Sequence, residues 1–265
     1  MAAAYYERWL RRGRALSIDA SRTAMVFAPH PDDETLGCGG TIARMTAAGV
    51  TVIVVVMTDG RCSHRQLMDE DALARLRAQE VVGACRRLGV DTRRLHLLGF
   101  PDDRLGAHHD EAVSRVVGIL DQYRPADVFL PYRHDAQPDH EATTAIVETA
   151  LAARATDRAA EQTRVYEYPV WFLHQWPFVH FDSAGGTSPV SGLRRAAVGN
   201  YRLLRDFNVV SDVTATLRQK REALEEHRSQ MQRLVADDRW SVLADVAHGA
   251  FLARLMRPYE LFCAR

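Results

Sequence analysis

Along the first two thirds of the chain, short apolar runs alternate with longer segments whose apolar residues recur near the helical repeat. Ala24-Met25-Val26-Phe27-Ala28 is an unbroken apolar run, and Thr51 to Met57 is almost continuously β-branched. Leu95 to Leu98, Asp127 to Leu130 and Arg164 to Tyr168 are weaker runs of the same kind. Runs of this length without polar alternation fit strands buried on both faces, as in parallel sheets. Between them, Asp69 to Leu88 carries Leu73, Leu76, Val81 and Cys85 at helical spacing and stops at Gly89; Asp110 to Tyr123 and His140 to Ala160 read as two more helices. The alternation predicts an α/β fold: a Rossmann-like three-layer sandwich with a mostly parallel sheet. With the fifth strand that sheet is essentially complete.

The remaining segment is expected to be a helical and irregular elaboration. Trp171 to Phe207 mixes aromatics with Pro177, Gly185-Gly186 and Pro189, which fits irregular structure or a covering lid, and Thr214 to Leu234 and Trp240 to Met256 read as closing helices. One domain over residues 1–265 follows, with a sheet core over about 20–170 and a cover over about 171–265.

Charge and cysteine usage narrow the partners. Thirty-four basic residues balance thirty-four acidic ones, so no net field attracts nucleic acid or an anionic membrane. No stretch approaches the apolar length of a membrane span, and the first residues lack the apolar core of a secretion signal. Cys38, Cys62, Cys85 and Cys263 are too few and too scattered for a disulfide framework, as expected of a cytoplasmic protein. A small-molecule partner bound at a local site is the expectation, and assembly of several copies is compatible with it.

That site is foreshadowed by His30-Pro31-Asp32-Asp33-Glu34, which follows the first strand and precedes a helix start rich in glycine at Gly37, Gly39 and Gly40. In open α/β sheets ligands sit at the carboxyl ends of strands. The helix dipole accounts for an acid or two in a first turn. It does not account for an imidazole with three consecutive acids beside a proline. Imidazole and carboxylate together suit zinc, with His30 and Asp33 as two ligands and Asp32 left free as a general base. A dinucleotide site is disfavoured, because a pyrophosphate would have to approach three acids and Gly37-Cys38-Gly39-Gly40 does not match the fingerprint. A third ligand must come from another loop. After the fourth strand, Pro131-Tyr132-Arg133-His134-Asp135-Ala136-Gln137-Pro138-Asp139-His140-Glu141 offers His134 or His140.

With both clusters in view, the sequence resembles the PIG-L/LmbE-like zinc deacetylases, whose motifs read A-H-P-D-D-E and H-P-D-H. Further stretches agree: Thr58-Asp59-Gly60, Arg77 with Glu80, Leu98-Gly99-Phe100-Pro101-Asp102, Tyr168-Pro169-Val170-Trp171, and Lys220 through Ser229-Gln230. The first motif departs only at Pro29, where the family has alanine before the histidine. The resemblance implies one zinc ion held by His30, Asp33 and His140, and Asp32 as the base that deprotonates the attacking water. It implies Arg77 and Asp102 as sugar contacts and leaves Asp139 to orient a ligand histidine or cap the helix. It also implies removal of an N-acetyl group from an N-acetylglucosamine-type glycoside or glycoconjugate.

Gln137 stands where the family has the first histidine of H-P-D-H. A glutamine donates a hydrogen bond but carries no proton. Proton transfer by Asp32 alone, substitution by His134, or a changed rate or substrate are the alternatives at this position. A same-fold hydrolase of another amide, or a non-catalytic sugar or nucleotide binder, are the competing functions.

Overall fold

The alternation of apolar runs and helices is realised in a computed structural model that describes residues 12–154, 163–174 and 189–265. Eight strands form one sheet: β1 (Arg14–Ala15), β2 (Thr23–Ala28), β3 (Thr51–Thr58), β4 (Leu95–Phe100), β5 (Asp127–Pro131), β6 (Arg164–Tyr168), β7 (Val209–Asp212) and β8 (Tyr259–Ala264). The helices are α1 (Asp33–Ala47), α2 (Glu70–Arg87), α3 (His109–Tyr123), α4 (Pro138–Ala153), α5 (Pro189–Asp206), α6 (Leu217–Glu225), α7 (Arg228–Met231) and α8 (Ala250–Leu255). Strand order is β1-β7-β8-β6-β5-β2-β3-β4, parallel throughout except where β8 pairs antiparallel with β6 and β7.

The layering follows from side-chain alternation. Along β2, Ala24, Val26 and Ala28 enter one hydrophobic core while Met25 and Phe27 enter the other. On β3, Val52, Val54 and Val56 face the first core, and Ile53, Val55 and Met57 the second. Leu36 and Ile42 of α1, Val81 of α2 and Leu224 of α6 close the first; Val116 of α3 and Ile146 of α4 close the second. Both faces of the central strands are therefore dry, which is why they read as unbroken apolar runs. No helix among the described residues is long and apolar enough to cross a membrane.

The structure departs from expectation mainly after β6. The sheet is not complete at the fifth strand: β7 and β8 extend it, and β1 adds an edge. Residues 189–206, expected to be irregular, form α5, while residues 175–188 of the expected lid lie outside the described residues. The helix expected over Thr214 to Leu234 is two pieces broken at His227, and that over Trp240 to Met256 shrinks to a turn and α8. Nor do the glycines begin a helix. They sit inside α1, where a Cβ on Gly37 would come within 2.1 Å of the Tyr168 ring and one on Gly40 within 2.6 Å of Val213.

Strand order positions the site. From β2 the chain winds outward to β3 and β4 on one side, and it returns to β5 and β6 on the other. The neighbours β2 and β5 thus flank a topological switch point, where loops at the carboxyl ends part and leave a crevice. With Val26 paired to Phe129, the loops after Ala28 and after Pro131 open side by side.

Candidate active site

Both motifs leave the sheet at this crevice. His30 and Asp33 come from the loop after β2 and the first turn of α1; His140 comes from the first turn of α4. The His30 and His140 rings stand 5.4 Å apart between centroids. Asp33 Oδ2 lies between them, 3.2 Å from His30 Nδ1 and 3.2 Å from His140 Nε2. One ligand atom from each residue falls within 4.8 Å of the others. Of the two histidines offered by the second loop, the structure brings His140 to the cluster; His134 packs edge-on against Tyr132 instead.

Neither ring nitrogen of the fully buried His140 makes an aligned hydrogen bond, close as they are to carboxylate oxygens. For Nε2, 3.2 Å from Asp33 Oδ2, this is compatible with two ligands facing one cation. The charge agrees. Asp32, Asp33, Asp102, Asp135 and Asp139 are all buried around the two imidazoles, a concentration of negative charge that suits a bound divalent ion. The residues present therefore fit a metal.

Each candidate ligand histidine has carboxylates behind it. Asp135, wholly buried, lies 2.8 Å from His140 Nδ1 and accepts the N–H groups of Val170, Trp171 and Phe172. His30 Nε2 lies 3.1 Å from Asp102 Oδ1 and 3.3 Å from Asp139 Oδ2. Asp139 also accepts from the Asp103 and Leu105 amides, at 2.8 and 3.1 Å, which fixes the loop after β4. Carboxylates behind ligand histidines fix the tautomer and ring angle. Burial works against protonation of His30, but these acids and Asp33 hold it well above its ordinary value; the same balance, with Asp33 and Asp135, takes His140 up to about 9. Burial would raise Asp33, yet the charge of the adjacent His140 and the hydrogen bond and charge of His30 hold it well below the usual carboxylate range.

Asp32 is different. It lines the cleft, and its backbone is strained at φ 134°. Its amide donates to Glu34 Oε2 at 3.0 Å, and Glu34 Oε1 lies 3.0 Å from Nε2 of the buried His227. Burial raises its carboxyl to about 7, against the pull of Arg77, with Asp33 adding repulsion. Arg77 is fully enclosed: it donates to Asp32 Oδ2 at 3.2 Å, to Pro31 O at 2.5 Å and to Gly60 O at 3.0 Å. Asp102, in turn, has one oxygen near His30 and the other accepting the Cys62 amide at 2.9 Å. Burial would raise it, but the hydrogen bond and charge of His30 bring it to about 2. Arg77 and Asp102 both line the cleft, yet both are engaged within the site. Gln137 caps α4, its Oε1 accepting the His140 amide at 3.0 Å, so only its NH₂ group is left to face the cleft.

The cleft has a volume of about 310 Å³. Its far wall draws on Gln230, from a stretch that shares the family resemblance, and on residues that the sequence motifs do not contain: His64, Ser241, Val242, Leu243 and Val246. His64 is stacked on Trp240 at 4.1 Å between centroids and is 2.8 Å from Ser241 O.

Comparison with known proteins matches residues 25–151 to the family model described as PIG-L, GlcNAc-PI de-N-acetylase. Those residues hold His30, Asp32, Asp33 and His140, with the strands that carry them. Over that stretch the chain is similar to the PIG-L family. Across the wider chain, the sequence is 26% identical over 222 residues to a probable N-acetyl-alpha-D-glucosaminyl L-malate deacetylase 2 of Bacillus cereus, covering 82% of this chain and 87% of that one. It is 29% identical over 263 residues to a 1D-myo-inositol 2-acetamido-2-deoxy-alpha-D-glucopyranoside deacetylase of Rhodococcus jostii, covering 86% and 88%. Among solved structures, N,N'-diacetylchitobiose deacetylase from Pyrococcus horikoshii shares the fold, with TM-score 0.65, 22% identity, and coverage of 92% of this chain and 84% of that one. His227, Gln230 and the 241–246 wall lie beyond the matched PIG-L residues.

Proposed function

We propose that this chain is a zinc-dependent hydrolase that removes the acetyl group from the amino group of an N-acetylglucosamine-type glycoside. The observation that carries the reading is the meeting of His30, Asp33 and His140 at adjoining strand ends, with Asp32 on the same cleft. The named activities of the relatives support the substrate class. A cytoplasmic location belongs to the same reading, supported by four unpaired thiols.

In this reading His30, Asp33 and His140 hold the ion. When bound, zinc polarises the amide carbonyl and brings the pKa of water toward neutrality. Asp32 takes a proton from the attacking water as its oxygen bonds to the acyl carbon. The carbon–nitrogen bond then breaks, Asp32 returns the proton to the departing nitrogen, and acetate and a free amine leave. A base with a pKa near the working pH suits both transfers. Arg77 holds the Asp32 carboxylate, while Glu34 and His227 hold its strained backbone. The Gln137 NH₂ donates to the acyl oxygen as charge develops there, worth about 10²–10³ in rate for such a donor, but moves no proton.

Amine release by Asp32→Asn tests this assignment. Activity is expected to fall by about 10²–10⁴ with zinc content unchanged. Gln137→His should change the rate by less than about tenfold; a hundredfold gain would mean that proton delivery at position 137 had been limiting and would remove Asp32 from the second transfer.

A further inference from the structure

Resting on the proposed hydrolase reading, we infer that the cleft selects substrates without negative charge, whose part beyond the reacting amide presents an apolar face. Two features of the cleft point there. Asp32, Asp33, Asp102 and Asp103 line it, and among its described lining residues Arg77 is the only arginine or lysine. That guanidinium is committed to Asp32 and to two backbone carbonyls. Four carboxylates against one engaged cation leave the lining acidic even with a divalent ion bound. A carboxylate or phosphate on the substrate would enter without a partner and against this field, at the cost of an unpaired charge leaving water.

The second feature is the wall. Leu36, Trp171, Val242, Leu243 and Val246 give the same cleft an apolar side. Trp171 is held by stacking on Phe251, with centroids 4.9 Å apart, and Val242 and Leu243 are more than nine-tenths buried. Small-molecule sites of this kind pair a few placed polar groups with apolar lining that covers the rest of the ligand. Here the polar groups are the acids and Gln137 together with His30, Ser63, His64, Gln230 and Ser241, which suit neutral hydroxyls, and the ligand surface on the other side must be able to lie against hydrocarbon. Three of the five wall residues come from positions 242–246, outside the matched family region.

The test compares the phenyl and L-malyl glycosides of N-acetylglucosamine on the zinc-loaded protein, by amine release and by calorimetric binding. The phenyl glycoside is expected to be favoured at least about tenfold in kcat/KM and in Kd. Val246→Arg, which adds a cation at the partly exposed edge of the wall, is expected to narrow both ratios. Equal or better use of the malyl glycoside, with amine released from both, overturns the selectivity and leaves the hydrolase standing. No amine from either, with the phenyl glycoside still bound more tightly, sinks the hydrolase and upholds the selectivity. Equal binding of the two sinks the selectivity in either case.

Discussion

Replacing Arg77 with methionine removes the cation that faces Asp32 and keeps an unbranched, though shorter, apolar stem. The guanidinium lies 3.2 Å from Asp32 Oδ2 with both groups buried. At an effective dielectric constant of about 20, a unit charge pair at that separation interacts by roughly 5 kcal/mol as an upper bound. Partial solvation and relaxation reduce this to the roughly 1–3 pKa units typical of a carboxylate beside arginine. The sign is fixed by charge. Arg77 favours the anion, so its loss raises the Asp32 pKa above the value of about 7 that burial has already imposed. Asp32 must be ionised to accept a proton, so the acid limb of kcat/KM should lie at or below about pH 7 in the wild type, a bound cation lowering it. In Arg77→Met it should move up by roughly 1–3 units. The variant should lose about tenfold or more in rate near neutrality and recover part of it at higher pH. Arg77→Lys, which restores a charge but not the fork of donors to Pro31 and Gly60, should fall between. A pH series of amine-release rates on the three proteins decides the matter. A uniform fall in rate with the limb unmoved would refute the electrostatic role and leave Arg77 as a brace for the loop.

Two further outcomes follow from buried contacts. Asp135→Asn leaves His140 without the carboxylate behind Nδ1 and should weaken zinc binding by about 10–100-fold, read by titration of metal-free protein; unchanged affinity would detach Asp135 from the site. Lys220, the only lysine in the chain, is fully buried, with Nζ 2.7 Å from Glu260 and donating to the Leu36 and Leu255 carbonyls. Lys220→Met leaves the buried Glu260 charge with only the Gly40 and Thr41 amides as partners and should lower stability by up to about 3–5 kcal/mol in denaturant unfolding, whereas a loss within experimental error would mean the pair contributes nothing to the fold.

The central strands were legible because both their faces are buried, and Arg164 to Tyr168 was read with its observed limits. The later strands were not. Val209–Asp212 is four residues long, and Tyr259–Ala264 pairs antiparallel against the parallel pattern that had set the expectation. Helical periodicity over Thr214 to Leu234 was real, yet the chain breaks at His227, whose ring reaches Glu34 across 193 positions. Over Trp240 to Met256 the pattern fails where Ala247 and His248 adopt φ 50° and 52°. Within the site, His30, Asp32, Asp33 and His140 stood in motifs with a local signature. Asp135 lay within the quoted second motif, but nothing in its spacing distinguished it from Asp139. The structure divides them: Asp135 stands behind His140, Asp139 behind His30. That His64, Gln230 and residues 241–246 line the cleft had no signal in the sequence, although Gln230 stood in a stretch resembling the family and 241–246 in an expected helix, because their place there is created by the packing of distant segments.

The account depends on one ion held jointly from two loops, and metal analysis of the purified protein tests that most directly. The expected result is about one zinc per chain in the wild type and a near-complete loss in His140→Ala, with secondary structure retained by circular dichroism. A folded His140→Ala protein that kept the wild-type zinc content would contradict it.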